Sequence, residues 1–290
     1  MKEKKLENIK LQIIFIGPAL IFFTVIVVVP FLMGMGYSMT KWNGVSSNVT
    51  FVGFKNFSSL LSDEYFMKSL FFTVRFSVAA VILGNLCAFF LALLLTSAIR
   101  LKKVYRAAFF IPNMVSGFIL GFIWQFIFVK IFAKIGELTS IGFFELPWLG
   151  TANTGFWALV IVQLWQMSGY LMVIYIAGLS NVPVELTESL KIDGAGRIQE
   201  LRYLTIPMIM PSITVSLFMS INTTFKMFDL NYTLTHGNFD TRSLAMDIYA
   251  EAFTNSNYGL GTAKALIFCL LVGAITVAQT MYTKRKEIEA

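Results

Sequence analysis

Histidine occurs once and cysteine twice among the 290 residues. A metal centre built from imidazole and thiolate ligands has too few donors to draw on. Cys87 and Cys269 both lie in apolar runs, where a thiol acts as a small packing residue. Charge is scarce too: 13% of residues are charged and 57% are hydrophobic. A soluble domain carries about 25% charged residues, so this composition excludes an ordinary water-soluble domain. Phosphate-loop motifs are also missing. "GLGTAK" (259–264) and "GAG" (194–196) match neither GxxxxGK[ST] nor GxGxxG in a strand–turn–helix setting. His236 stands alone, and no paired carboxylates or nucleophile–base set can be assembled. The expectation is a chain with no cofactor, no metal, no catalytic residues and no nucleotide site of its own.

Long apolar runs are what the chain does have. A spanning helix needs about 20 mostly apolar residues, and six windows qualify: 11–37, 69–98, 108–132, 155–179, 208–228 and 262–282. The expected fold class is an all-α polytopic membrane protein, one domain over 1–290. The start, "MKEKK" and then an apolar run, has the outline of a signal peptide. Its apolar run exceeds the usual ~7–15 residues, and "FLMGMGYSM" follows in place of a cleavage site. It is read as an uncleaved first span.

Basic residues set orientation in such chains, so the net charge of +7 need not mean nucleic acid. Lys2, Lys4, Lys5, Lys10, Arg100, Lys102, Lys103, Arg106, Lys191, Arg197, Arg202, Lys284, Arg285 and Lys286 fall in segments on one side. That places both termini and the loop before the fifth span in the cytoplasm. Segments 40–68, 133–154 and 229–261 become outer loops. The first is expected to hold a short amphipathic helix, "NFSSLLSDEYFMKSL", capped by Asn56 or Ser58.

Polar residues inside spans are costly and therefore informative. Arg75 and Asn85 lie in the second window, Asn113 and Gln125 in the third, and Gln163, Gln166, Ser168 and Tyr170 in the fourth. The fifth holds Ser220, Asn222, Thr223, Thr224 and, near its end, Lys226. Gln163, Gln166 and Tyr170 share one helix face, as do Ser220 and Thr224. Such hydrogen bonders suit a hydroxyl-rich ligand, with Trp124, Trp165 and Tyr170 offering an aromatic face. The substrate-binding candidates are Asn113, Gln166, Tyr170, Ser220 and Thr224. Gly117 and Gly121 form a GxxxG, read as close helix packing.

The run "NVPVELTESLKIDGAGRIQELRYLTIPMIMP" breaks the apolar pattern between spans four and five. Pro183 suits a helix's first turn. Glu185 and Glu188 favour that helix's N-terminal half, and Leu186 and Leu190 make an apolar ridge. Asp193-Gly194 punctuates, because glycine readily takes the left-handed corner that ends a helix. Ile198 and Leu201 begin a second helix, and Pro207 and Pro211 mark the entry to the fifth span. The expected product is a helix–turn–helix with an exposed ridge for a soluble partner.

This run resembles the cytoplasmic-loop signature of permease subunits of ATP-binding-cassette importers: Glu-Ala-Ala, three residues, Gly, nine residues, then Ile/Leu-Pro. Glu188 and Gly194 stand at its first two fixed positions, Ile206-Pro207 stands for its end after eleven residues rather than nine, and Asp193-Gly194-Ala195 keeps its "DGA". Ser189 and Leu190 replace the two alanines. "FVGFKNFSSLLSDEYF", "YRAAFFIPNMVSGFILGFIW" and "LWQMSGYLMVIYIAGLSNVP" are similar to segments of the carbohydrate branch. Of its "T-x-G-G-P" segment only Thr235 and Gly237 fit.

The resemblance implies a prokaryotic cytoplasmic-membrane permease for a sugar or oligosaccharide. It would pair with a second permease, two cytoplasmic ATPase subunits and an extracytoplasmic solute-binding protein. Loop 180–207 would couple the spans to the ATPase. Glu188 would make a helix-end contact, Leu190 the ridge and Asp193-Gly194 the corner, with Ile206-Pro207 as the joint to span five. A non-sugar cargo (amino acid, phosphate or osmolyte) is the near alternative. An ion-coupled carrier is more distant, because the windows hold no Asp or Glu. A non-transporting membrane scaffold is the third; it would not need polar residues converging within spans.

Overall fold

The computed structural model describes residues 14–97 and 100–287. Residues 11–13 of the first window, Ala98 of the second, and Lys2, Lys4, Lys5 and Lys10 lie outside the described residues. The fold is all-α, apart from one antiparallel ladder in which Thr40 pairs with Phe51 and Lys41 with Thr50. Five helices are long and apolar enough to cross a bilayer, or six when a bent pair counts as one. The chain divides into two compact units, residues 1–63 with 248–268, and residues 64–247 with 269–290.

The first unit holds α1 (Ile14–Ser38), exposed over nearly its whole length. It passes through a wider π-helical stretch at Thr24–Val28. After the ladder comes α2 (Lys55–Leu60), whose N-cap is Phe54, with no side-chain cap. The caps expected from Asn56 and Ser58 are therefore not made. The Asn56 amide instead donates to the carbonyls of Ser38 (2.8 Å) and Thr40 (2.9 Å), satisfying acceptors left over where α1 ends. Ser58 Oγ donates to the Lys55 carbonyl.

In the second unit, α3 (Glu64–Thr96) starts earlier than window 69–98. The third window divides. Its first part belongs to the amphipathic α4 (Lys102–Met114), which contains Pro112 and ends on the extended residues Val115 and Ser116. The span proper is α5 (Gly117–Thr139). A short α6 (Gly142–Glu145) precedes α7 (Ala152–Ser180), whose first turn is capped by Thr151 accepting from the Thr154 N–H. Two clusters form the core. Phe72, Phe76, Leu120, Phe128, Phe156 and Leu159 make one, and Ala88, Ala92, Met167, Leu171, Tyr175 and Ile209 the other. Both are centred on α7, which is why that helix buries most of its circumference and leaves Trp157, Trp165 and Val173 open.

Three elements follow: α8 (Val184–Ile192), α9 (Arg197–Met208) and α10 (Met210–Phe225), with a 71° bend between the last two. The segment from residue 229, expected as an outer loop, contains two short helices, α11 (Asp229–Leu234) and α12 (Leu244–Tyr249). Helix α11 lies on Gly117 and Gly121 of α5: a Cβ at Gly117 would stand 2.9 Å from Asp229 Cβ, and one at Gly121 would overlap Thr233. The GxxxG thus packs helix on helix, against a partner that hydropathy did not reveal because it is only six residues long. Polar bonds fix the turn after it. Asn231 donates to Thr235 Oγ1 and the Thr241 carbonyl and accepts from the Ser243 N–H. The last helix is α13 (Tyr258–Lys284).

Candidate functional site

Two places in the second unit draw the expected residues together. The first is the elbow between α7 and α10. Pro183 is extended at the N-cap of α8, one position before the first turn expected for it. Helix α8 ends in a Schellman turn: the Gly194 N–H reaches the Lys191 carbonyl (3.1 Å) and the Ala195 N–H the Leu190 carbonyl (2.9 Å). Gly194 carries the left-handed φ of +81° that this turn requires. The Gly196 N–H then donates to Gln199 Oε1 (2.8 Å), which starts α9.

Glu188 and Asp193 are exposed, and Leu190 is half-buried. The open apolar surface is therefore wider than the Leu186–Leu190 ridge. Ile192 is 86% accessible, Ile198 81% and Val184 64%. Ile206 and Pro207 are half-buried in the last turn of α9, just after a wide turn at Leu201–Thr205. The bend itself falls at Ile209, between Pro207 and Pro211. At the elbow's root, a Cβ on Gly178 of α7 would overlap Ser212 of α10. The Ser212 side chain thus packs directly on the Gly178 backbone where the elbow meets the span.

The second place is a cleft of about 420 Å³ lined by Asn113, Gln163, Gln166, Met167, Tyr170, Met219 and Thr223. Helix α4 brings Asn113, α7 the next four and α10 the last two. Tyr170 Oη and Thr223 Oγ1 lie 3.5 Å apart across it. Gln166 Nε2 donates to the Val115 carbonyl (3.1 Å), at the break that separates α4 from α5. Gln163 is buried, and its Nε2 has no hydrogen-bond partner among the described residues. No charged group lines the cleft.

Asn113, Gln166 and Tyr170 thus share one cleft, whereas Ser220 and Thr224 do not line it. Both are fully buried on the far side of α10. Ser220 Oγ accepts from Asn85 Nδ2 (2.9 Å), Asn85 Oδ1 accepts from Tyr175 Oη (2.9 Å), and Thr224 Oγ1 donates to the Ser220 carbonyl. The Ser220 hydroxyl thus holds α10 to α3, and Asn85 carries the link on to α7, while Thr224 bonds within α10. The face of α10 that meets the cleft is one residue away, at Met219 and Thr223. Thr223 stands in the same polar run, but periodicity alone did not say which of the two stripes faces inward. Trp124 and Trp165 meet edge to face at 5.5 Å and do not line the cleft.

A family model described as "binding-protein-dependent transport system inner membrane component" matches residues 80–288. The chain belongs to this family. As a member of it, the chain is a membrane-spanning component of a binding-protein-dependent transport system. It is 44% identical over 278 residues to the "probable starch degradation products transport system permease protein AmyD" of Thermoanaerobacterium thermosulfurigenes, covering 95% of this chain and 94% of that one. It is 32% identical to the "multiple sugar-binding transport system permease protein MsmF" of Streptococcus mutans, covering 89% and 90%. Among solved structures, it shares the fold of a chain of "a bacterial ABC transporter involved in the import of the acidic polysaccharide alginate". That match has a TM-score of 0.81 at 19% identity, covering 97% and 99% of the two chains.

Proposed function

We propose that this permease forms part of the translocation pathway for a neutral sugar or oligosaccharide, delivered by an extracytoplasmic binding protein. The lining of the cleft carries this reading. Asn113, Gln163, Gln166, Tyr170 and Thr223 offer amide and hydroxyl groups and no ionised one. An amino acid or phosphate would need a counter-charge at such depth. A sugar needs donors and acceptors for its hydroxyls, and the unpartnered Gln163 Nε2 is a donor awaiting one. The names of AmyD and MsmF, with their starch products and multiple sugars, point the same way.

The second permease, the two ATPase subunits and the cytoplasmic placement of both termini and loop 180–207 belong to the same proposal. Nucleotide is hydrolysed by the ATPase subunits, not by this chain. The open apolar residues of α8 and α9, with Glu188 at the side, seat in the ATPase. Closure of the ATPase pair draws the elbow inward, and the Gly178–Ser212 contact passes the movement to α7 and α10. Those are the two helices that contribute most of the cleft. Inverting a two-state equilibrium from 1:99 to 99:1 takes about 5.5 kcal/mol of differential binding, which a slack linker could not transmit. The Schellman turn and the Gly196–Gln199 bond supply the stiffness.

The experiment is uptake of radiolabelled maltodextrins, amino acids and phosphate by cells with and without the chain. Loss confined to sugars supports the reading. Loss confined to a charged solute refutes it.

A further inference from the structure

Helix α3 buries one face through Phe72, Phe76 and Ala80. Its opposite face is an open stripe: Phe71, Val78, Ile82 and Leu86 are 71%, 52%, 53% and 49% accessible. At helical spacing, exposed Arg75 falls on the same line. It lies about 16 Å in from Glu64, at ~1.5 Å per residue. A cation on the outward surface of a span is costly unless it meets an anion. Among the described residues Arg75 makes no ion pair. Its guanidinium carbon sits 4.4 Å from the centroid of the Phe156 ring. Stacking covers one face and leaves the planar fork of N–H donors free.

Arg75 and Phe156 line a groove of about 510 Å³ that also reaches Glu64, Lys68 and Asp240. Glu64 is held by Lys68 at 2.7 Å. Asp240 is exposed and makes no ion pair among the described residues. It also lines a small neighbouring cavity with Tyr65, Lys68 and Ser69. That places it at the first turns of α3, nearer the helix end than Arg75. Along the groove the order is therefore an exposed carboxylate near Lys68, then an open guanidinium, then an apolar stripe.

We propose that this groove binds a zwitterionic aminophospholipid of the phosphatidylethanolamine type. Its ammonium meets Asp240 and its phosphate meets Arg75 through paired N–H donors. Its acyl chains lie on Val78, Ile82 and Leu86. An anionic lipid such as phosphatidylglycerol would satisfy Arg75 but leave Asp240 repelled. A soluble phosphate would make no use of the stripe.

The test uses the full-length chain, extracted with the subunits that accompany it. The complex is placed in nanodiscs of equal phosphatidylethanolamine and phosphatidylglycerol, and retained lipid is counted by native mass spectrometry. Wild type retains phosphatidylethanolamine preferentially. Arg75→Gln lowers that retention about tenfold, and the exposed Asp240→Asn removes the preference while keeping total bound phospholipid near wild type. Unchanged retention in Arg75→Gln overturns the proposal. So does ready disulfide formation between Val78→Cys and a cysteine on a second permease, because the stripe would then be a protein interface. Arg75→Lys, which keeps the charge, should retain more lipid than Arg75→Gln; equal loss in both would overturn the phosphate contact.

Discussion

Lys264 Nζ lies 2.8 Å from a carboxylate oxygen of Asp63 and 3.1 Å from one of Glu251, with 1% of the lysine side chain accessible. Asn257 Nδ2 donates to the other oxygen of Glu251 at 3.0 Å. This cluster ties the start of α13 to the residue before α3 and to the turn after α12, all within the first unit. Removing the cation leaves two half-buried carboxylates without their shared partner. Lys264→Met should therefore destabilise the chain by about 3–5 kcal/mol. The check is the thermal midpoint in detergent, read by tryptophan fluorescence. An unchanged midpoint would mean water reaches the cluster.

Gly194 should tolerate asparagine better than valine. A Cβ there meets nothing within 4 Å, so the penalty comes from the +81° φ alone, about 1–2 kcal/mol for an ordinary side chain. Gly194→Val should abolish uptake while the chain still inserts and assembles. Gly194→Asn should keep much of it, since asparagine visits the left-handed region more readily. Equal uptake by all three proteins would uncouple the elbow from transport.

The cleft and the hydroxyls behind it should separate by phenotype. Tyr170→Ala or Thr223→Ala should raise the KM for uptake several-fold, as each lost hydrogen bond weakens binding by about 0.5–1.5 kcal/mol, with expression unchanged. Ser220→Val should instead lower the thermal midpoint, because Asn85 Nδ2 then loses its Ser220 acceptor. Initial-rate uptake beside a melting curve for each variant decides the matter.

Gly121 should accept nothing larger. A Cβ there overlaps Thr233 of α11, so Gly121→Leu must push the two helices apart, at a cost of about 1–3 kcal/mol or more. The paired change Gly121→Ala with Thr233→Gly should recover part of the loss. The measurement is the thermal midpoint of the single and double variants.

Much of the fold was legible because a bilayer demands long apolar runs and those cannot be hidden in a sequence. The elbow was legible for a different reason. Pro183, the Asp193-Gly194 corner and the two later prolines act locally, through their own dihedral limits, so their consequence does not wait on distant residues. Lys264 escaped notice because a lysine one turn into an apolar run resembles a snorkelling end residue; one of its partners, Asp63, is far away along the chain, and the other, Glu251, lies across a turn. Helix α11 was missed for the same kind of reason. Its burial depends on two glycines more than a hundred residues earlier, which open the space it fills.

By itself, the amino-acid order determined a polytopic helical protein with a helix–turn–helix elbow before its fifth span, since hydropathy, proline and glycine act over a few residues. Only the tertiary structure decided which polar stripe of α10 faces the cleft, because Ser220 and Thr223 differ by a rotation that periodicity leaves undefined. The packing of Asn85 and Tyr175 against Ser220 selects it: a buried amide must find partners, and in satisfying it α10 turns Thr223 toward Tyr170.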